Sequence, residues 1–338
     1  MTYGRIDGID KAISRLVLGT GFIQPGGDRG RYWEIMDAAF EAGITAIDSG
    51  REYADGYADE CIGAWMSAAG TRDRITLVSK GCHHNRWRKR VTPFDLESDL
   101  RDTLAALRTD RLDVYLLHRD DESVPVGPMI EALNAHCEAG RIRTFGASNW
   151  DYPRVREANA YARERGLRGF SVLSQHFSLG VQRADPWGGG CVSLTGEGRR
   201  ADREWHRAEA MPLLAYSSLC LGLFSGKVAD RRELEAAIAE GRINAACDQA
   251  YGSDDNFERL RRASILAREK GVPLATLAAA YVLEYQKTGG FPTFALVGAE
   301  NRLEAFSAAR AAELRLGAEE LAWLDLRSEE PGGPLAGD

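Results

Sequence analysis

The chain has 338 residues, 44% of them hydrophobic, with 43 lysines and arginines against 50 aspartates and glutamates, a net charge of −7. These values exclude a disordered or fibrous chain, and a chain of this length buries roughly three quarters of its unfolded surface without help from metals or disulfides. Arginines mixed among carboxylates leave no basic face for nucleic acid, and no apolar run reaches the ~20 residues of a membrane span.

Residues 1–7 carry acid and base where a secretion signal would be apolar, so a reducing, cytoplasmic location is expected. Six scattered cysteines without a Cys-x-x-Cys pattern fit that setting and suggest no metal site and no disulfide framework. Short β-rich apolar runs then recur at 16–18, 44–47, 75–78, 112–117, 142–145, 170–173, 212–215 and 294–297. Between them stand helical stretches: 33–40 ending at Gly43, 94–107 opening after Pro93, 129–139 ending at Gly140, and 161–165 ending at Gly166. A glycine just past a helix supplies the left-handed residue that turns the chain into the next strand. Such alternation is the pattern of a parallel sheet. Eight units in ~300 residues match a closed α/β (β/α)8 TIM barrel better than two open sheets.

The rival is a doubly wound dinucleotide fold, because Gly19-Thr20-Gly21 follows the first run. Gln24 stands where the third glycine of that fingerprint belongs, so the pair is read as a tight turn at a strand end. Two longer segments, 185–191 after the sixth run and 222–255 after the seventh, fall where loops cover the active face of a barrel. No stretch is rich enough in Pro, Gly or Ser to divide the chain. Residues 1–329 are expected to form one barrel domain, and 330–338 a flexible tail.

Polar residues collect at the carboxyl ends of successive runs: Asp48, Lys80 and His118, with Tyr53 five residues beyond Asp48. Barrel active sites are built there. A phenol is a poor proton donor at neutral pH, but an adjacent ammonium lowers its pKa, which Lys80 is expected to do for Tyr53. Asp48 would hold the ammonium charged, and His118 would donate a hydrogen bond to a substrate carbonyl oxygen.

These stretches resemble the aldo-keto reductase superfamily: Gly43-Ile44-Thr45-Ala46-Ile47-Asp48 with Tyr53, Leu77-Val78-Ser79-Lys80, and Leu112-Asp113-Val114-Tyr115-Leu116-Leu117-His118. Phe145-Gly146-Ala147-Ser148-Asn149 and Leu214-Ala215-Tyr216-Ser217-Ser218-Leu219 follow in order. The resemblance implies a barrel that binds NADP(H) or NAD(H) and interconverts carbonyls and alcohols, with Asp48, Tyr53, Lys80 and His118 as the catalytic tetrad. It implies that Ser148, Asn149 and Gln175 hold the nicotinamide amide, that Tyr216 supports the ring, and that Ser217, Leu219, Gly222, Ser225 and Lys227 wrap the pyrophosphate. Gly19 and Thr20 join this nucleotide set, as do Gly298, Glu300, Arg302 and Glu304 after the eighth run. Glu300 and Glu304 fall where the family commonly places residues that clamp a 2′-phosphate, which leaves the choice between NAD(H) and NADP(H) open.

Phe22, His83, His84, Trp87 and Trp187 are candidates for the substrate wall, suited to sugars, polyols or other polar carbonyl compounds. The expected partner is therefore a small carbonyl or alcohol substrate. The same residues leave other chemistries open: an oxidation and a reduction on one substrate over a retained cofactor, a barrel aldolase with Lys80 as Schiff base, or a nucleotide-binding redox sensor.

Overall fold

The computed structural model describes residues 1–330, apart from the side chains of Lys287 and Thr288, so the expected tail beyond Glu330 lies outside the described residues. The chain opens with an antiparallel hairpin, β1 (Tyr3–Gly4) and β2 (Ile13–Ser14). Then come β3 (Leu16–Gly19), β4 (Ala46–Asp48), β5 (Thr76–Gly81), β6 (Leu112–Leu117), β7 (Ile142–Ser148), β8 (Leu173–Ser174), β9 (Leu213–Ala215) and β10 (Thr293–Val297). Among the described residues these last eight form a closed parallel barrel in chain order, with β10 returning to pair β3.

Helices wrap the outside: α1 (Arg29–Glu41), α2 (Tyr57–Ala69), α3 (Pro93–Ala106), α4 (Gly127–Glu138), α5 (Tyr152–Glu164) and α6 (Arg200–Ala208). After β9 follow α7 (Arg231–Ala239), α8 (Ala246–Tyr251), α9 (Asp254–Glu269) and α10 (Leu274–Gly289), and after β10 come α11 (Arg302–Ala309) and α12 (Ala318–Leu324). Their starts are written in side chains. Asp28 accepts from Gly30 N at 2.9 Å, Thr92 from Asp95 N at 3.2 Å, Asp230 from Glu233 N at 2.8 Å and Asn301 from Glu304 N at 3.0 Å. Each cap is worth about 1 kcal/mol.

Strand alternation sorts the apolar residues into two bodies. One lies between strands and helices and includes Leu18, Ile47, Leu77, Leu117 and Leu213. The other fills the barrel: Val17, Ala46, Val78, Val114, Leu116, Val172, Leu214, Phe294 and Leu296, joined by Ile6, Ile9 and Ile13 of the hairpin segment. That segment closes the amino-terminal end of the barrel, for Gly8 lies against Thr144 and Gly4 against Phe294, near the starts of β7 and β10.

Three expectations need correction. The run 170–173 yields only the two-residue β8, which meets β9 at a single pair, Leu173 with Leu213. Segment 222–255 is not a long loop but holds α7 and α8; α7 buries only Leu234 and Ala237, a stripe too narrow to read as periodicity. The helix expected at 161–165 starts nine residues earlier, at Tyr152, with Pro153 in its first turn.

Candidate active site

The barrel interior sets the site. Ala46, Val78, Leu116 and Leu214 face inward, and two residues further along stand Asp48, Lys80, His118 and Tyr216. Side chains repeat their direction every second residue, so these four form the next inward layer above the apolar filling. Tyr53 comes from the short helical turn Tyr53–Gly56 after β4, where Ala54 and Asp55 take left-handed backbone angles. That turn brings the phenol back over Lys80, whose Nζ lies 4.8 Å from the ring centroid.

Lys80 is 3% exposed and Asp48 1%. Nζ lies 2.6 Å from each Asp48 carboxylate oxygen, 2.8 Å from Ser49 O and 3.0 Å from Tyr53 OH. Tyr53 oxygen therefore accepts from the ammonium, and its own O–H is free to donate into the space above. Burial alone would push the Lys80 ammonium down, but Asp48 and Tyr53 outweigh it and hold its pKa above the ordinary value. Burial likewise raises the Asp48 carboxyl against the pull of Lys80.

The phenol departs from expectation. Burial is its largest influence and raises the Tyr53 pKa, while Lys80 pulls the other way without prevailing. His118 faces Tyr53 edge-on with ring centroids 5.8 Å apart. Its pKa falls well below the usual value, chiefly through burial and then through Lys80, so the imidazole is neutral. Its Nδ1 is buried without a partner, which favours keeping the proton on Nε2.

A cleft of about 1270 Å³ opens above this layer. Two inward positions of the layer are glycines, Gly19 and Gly298, where even an added Cβ would meet nothing closer than 3.7 Å. With no side chains there, the ring is open on that side and the cleft runs out to Glu300 and Glu304. Its wall after β9 has unusual backbone: Ser217, Cys220, Leu221, Gly222 and Gly226 all have positive φ. The amides of Ser218 and Leu219 donate to no other group among the described residues. Unspent amides on a left-handed loop make an anion-binding concavity.

Most of the residues singled out in the sequence line this cleft: the tetrad, Gly19, Phe22, His83, Ser148, Asn149, Trp187, Tyr216, Ser217, Leu219, Gly222, Ser225, Lys227, Gly298, Glu300 and Glu304. Asn149 Oδ1 accepts from Tyr216 OH at 2.6 Å, tying the aromatic to the amide. Others stand elsewhere. Thr20 and Gln175 are wholly buried behind the wall, Thr20 donating to Asp48 O at 2.9 Å and Gln175 accepting from Asn149 N at 2.7 Å. Arg302 turns away from the cleft to Glu41 at 3.0 Å. His84 is held against Asp120 O at 2.9 Å, and Trp87, 75% exposed, packs against the Arg86 guanidinium. Two cations missed in the sequence do line the cleft, Arg119 and Arg242. Arg119 directly follows His118, and that adjacency was the signal available.

Residues 15–327 match the sequence pattern of the Aldo/keto reductase family. The chain belongs to that family. Aldo/keto reductases are oxidoreductases, and their barrel is the one described above. This family member is 25% identical over 242 residues to the aldo-keto reductase YhdN of Bacillus subtilis, an alignment covering 70% of this chain and 67% of YhdN. It is 24% identical over 263 residues to an aryl-alcohol dehydrogenase of Pestalotiopsis microspora, covering 75% of this chain and 62% of that one. The chain thus spans just under two thirds of the second relative's length. An aldo-keto reductase from Klebsiella pneumoniae crystallised with NADPH shares the fold, with a TM-score of 0.68 at 24% identity, over 99% of this chain and 97% of that one.

Proposed function

We propose that the chain is a nicotinamide-dependent carbonyl reductase in which Tyr53 is the general acid. The observation that carries this reading is the Lys80 ammonium bridging Asp48 and Tyr53 beneath a cleft that His118 also faces. The cleft suits a dinucleotide: it is long, open beside Gly19 and Gly298, and flanked by the spare amides of Ser218 and Leu219. Ser148, Asn149 and Tyr216 would hold the nicotinamide end, and the loop from Ser217 to Lys227 the phosphates. When bound, the nucleotide supplies the hydride.

The protein's own part is the proton. At neutral pH the raised pKa keeps the proton on Tyr53 oxygen, ready for a carbonyl oxygen placed between it and His118 Nε2. His118 polarises that carbonyl by a neutral hydrogen bond. As the proton leaves, the phenolate gains full attraction to the Lys80 ammonium, an interaction larger in the transition state than in the ground state. Reversal of these steps oxidises an alcohol.

The aldolase alternative is disfavoured, since a Schiff-base lysine needs a depressed pKa and Lys80 has the opposite. For the nucleotide, Glu300 at the far end of the cleft forms an ion pair with Lys227, so neither residue stands as a free charge for a 2′-phosphate. Arg302 is engaged with Glu41. This supports use of NAD(H) at least as readily as NADP(H). Binding titrations with both reduced nucleotides, followed by consumption assays on aldehydes, ketones and sugars, test the reading; failure to bind either nucleotide overturns it.

A further inference from the structure

Arg119 sits at the end of β6, one residue past His118, and is 7% exposed. Its backbone carbonyl accepts from Trp150 Nε1 at 3.0 Å, and its Cδ approaches Gly190 on the long loop after β8. Those contacts account for the main chain and the methylenes. The guanidinium has no hydrogen-bond or ion-pair partner among the described residues.

Such a vacancy is informative because arginine does not lose its charge, and an enclosed cation without a counter-ion is costly. The group lines the cleft beside Tyr53, His83, Trp187 and Cys191. Its charge is felt by Tyr53, His83, His118 and Cys191 alike, which places it over the reacting end.

None of the carboxylates around it pairs with this guanidinium. Lys80 is neutralised by Asp48, and Arg90 by Asp95 and Asp99. His83 gives its Nδ1 proton to His84 O, and His84 its Nε2 proton to Asp120 O; burial lowers both pKa values, so neither adds charge. Asp185 keeps its charge but turns both oxygens to the amides of Trp187 and Cys191 and not to Arg119. Glu52, exposed at the rim, forms no ion pair with Arg119.

We propose that Arg119 binds a carboxylate of the substrate, so that the preferred substrates are carbonyl compounds that also carry an acid group. This deepens the reductase reading and rests on it. A single unmatched guanidinium balances a monoanion and presents the planar fork that a carboxylate fits with two parallel hydrogen bonds. A phosphate dianion would call for a second free cation, and the other cations of the cleft, Lys80, Lys227 and Arg242, are each paired with a carboxylate.

The test compares matched pairs: 4-formylbenzoate with its methyl ester, and D-glucuronate with D-glucose. The wild-type chain should favour the acid of a pair by about tenfold to a hundredfold in kcat/KM, mainly through KM, the effect of a charge-assisted bond to an otherwise unpaired group. Arg119→Met should bring that ratio toward one, and Arg119→Lys should restore part of it. Benzoate binding, followed by tryptophan fluorescence, should weaken at least tenfold in Arg119→Met. Neutral aldehydes reduced as well as acids by the wild type would overturn the carboxylate site and leave the reductase reading standing, a result that needs no variant to fold. Arg119-dependent benzoate binding without reduction of any carbonyl would support the site and overturn the reductase reading. Absence of both overturns both.

Discussion

Replacing Lys80 by methionine isolates the charge that organises the active site. Both Asp48 oxygens have Nζ as their hydrogen-bond partner, and both side chains are almost wholly enclosed, so the variant strands a carboxylate in the barrel. Breaking a buried pair from one side costs about 3–5 kcal/mol. Asp48→Asn strands the ammonium instead and should cost a similar amount. The double variant strands nothing and should fall well short of the sum, leaving a coupling energy of at least about 2 kcal/mol. The sign with pH follows from Asp48. Its folded pKa is already raised by burial, and loss of the ammonium raises it further. Above that value the folded Lys80→Met chain carries the stranded charge and the deficit is full; as pH falls through it the carboxyl takes a proton and the deficit shrinks. Urea unfolding of the four proteins at pH 5 and pH 7.5 measures all of this. Single variants each costing below about 1 kcal/mol, or strictly additive losses in the double variant, would refute the account.

Three further outcomes are expected. Tyr53→Phe removes the proposed proton donor but keeps the ring, so kcat should fall at least ~10²-fold with nucleotide dissociation constants little changed, and near-normal turnover would remove Tyr53 from the chemistry. Glu300→Arg trades the carboxylate at the far end of the cleft for a cation, and the ratio of NAD(H) to NADP(H) dissociation constants should shift toward NADP(H) by about tenfold, the size of one charge-assisted bond; an unmoved ratio counts against the assigned place of Glu300. Asp59, wholly buried with Ser49 OH donating to it, has its pKa pushed up to about 6 by burial. The folded chain then keeps a proton that the unfolded chain loses from about pH 4, so stability should decline between pH 4 and 6 by on the order of 3 kcal/mol, and Asp59→Asn should flatten that slope in urea titrations.

The barrel was legible because strands buried on both faces appear as unbroken apolar runs. The ends of those runs were misplaced where function intrudes. β5 continues through Ser79 and Lys80 to Gly81, and β7 through Ser148, polar residues that look like loop until the inward layer is seen. The N-terminal hairpin left no mark, since two-residue strands separated by eight residues carry neither alternation nor a short turn. The four tetrad positions were visible because each stands at or just beyond a strand end. The direction of the Tyr53 pKa was not, because it depends on how burial weighs against a single ammonium. Arg119 reads in sequence as a loop charge in His-Arg-Asp-Asp, and its isolation exists only in three dimensions.

The apolar filling of the barrel also ties its two ends together. Ile6, Ile9 and Ile13 press on the bottom of a stack of side chains whose uppermost neighbour is the ring of Tyr216. Close-packed matter transmits displacement rather than absorbing it. The height of the aromatic shelf is therefore set in part from the opposite pole of the molecule, by the first thirteen residues acting as a footing. Trimming a methylene from that footing is expected to loosen the stack, so an error of fit made far from the candidate site would be felt at the ring of Tyr216.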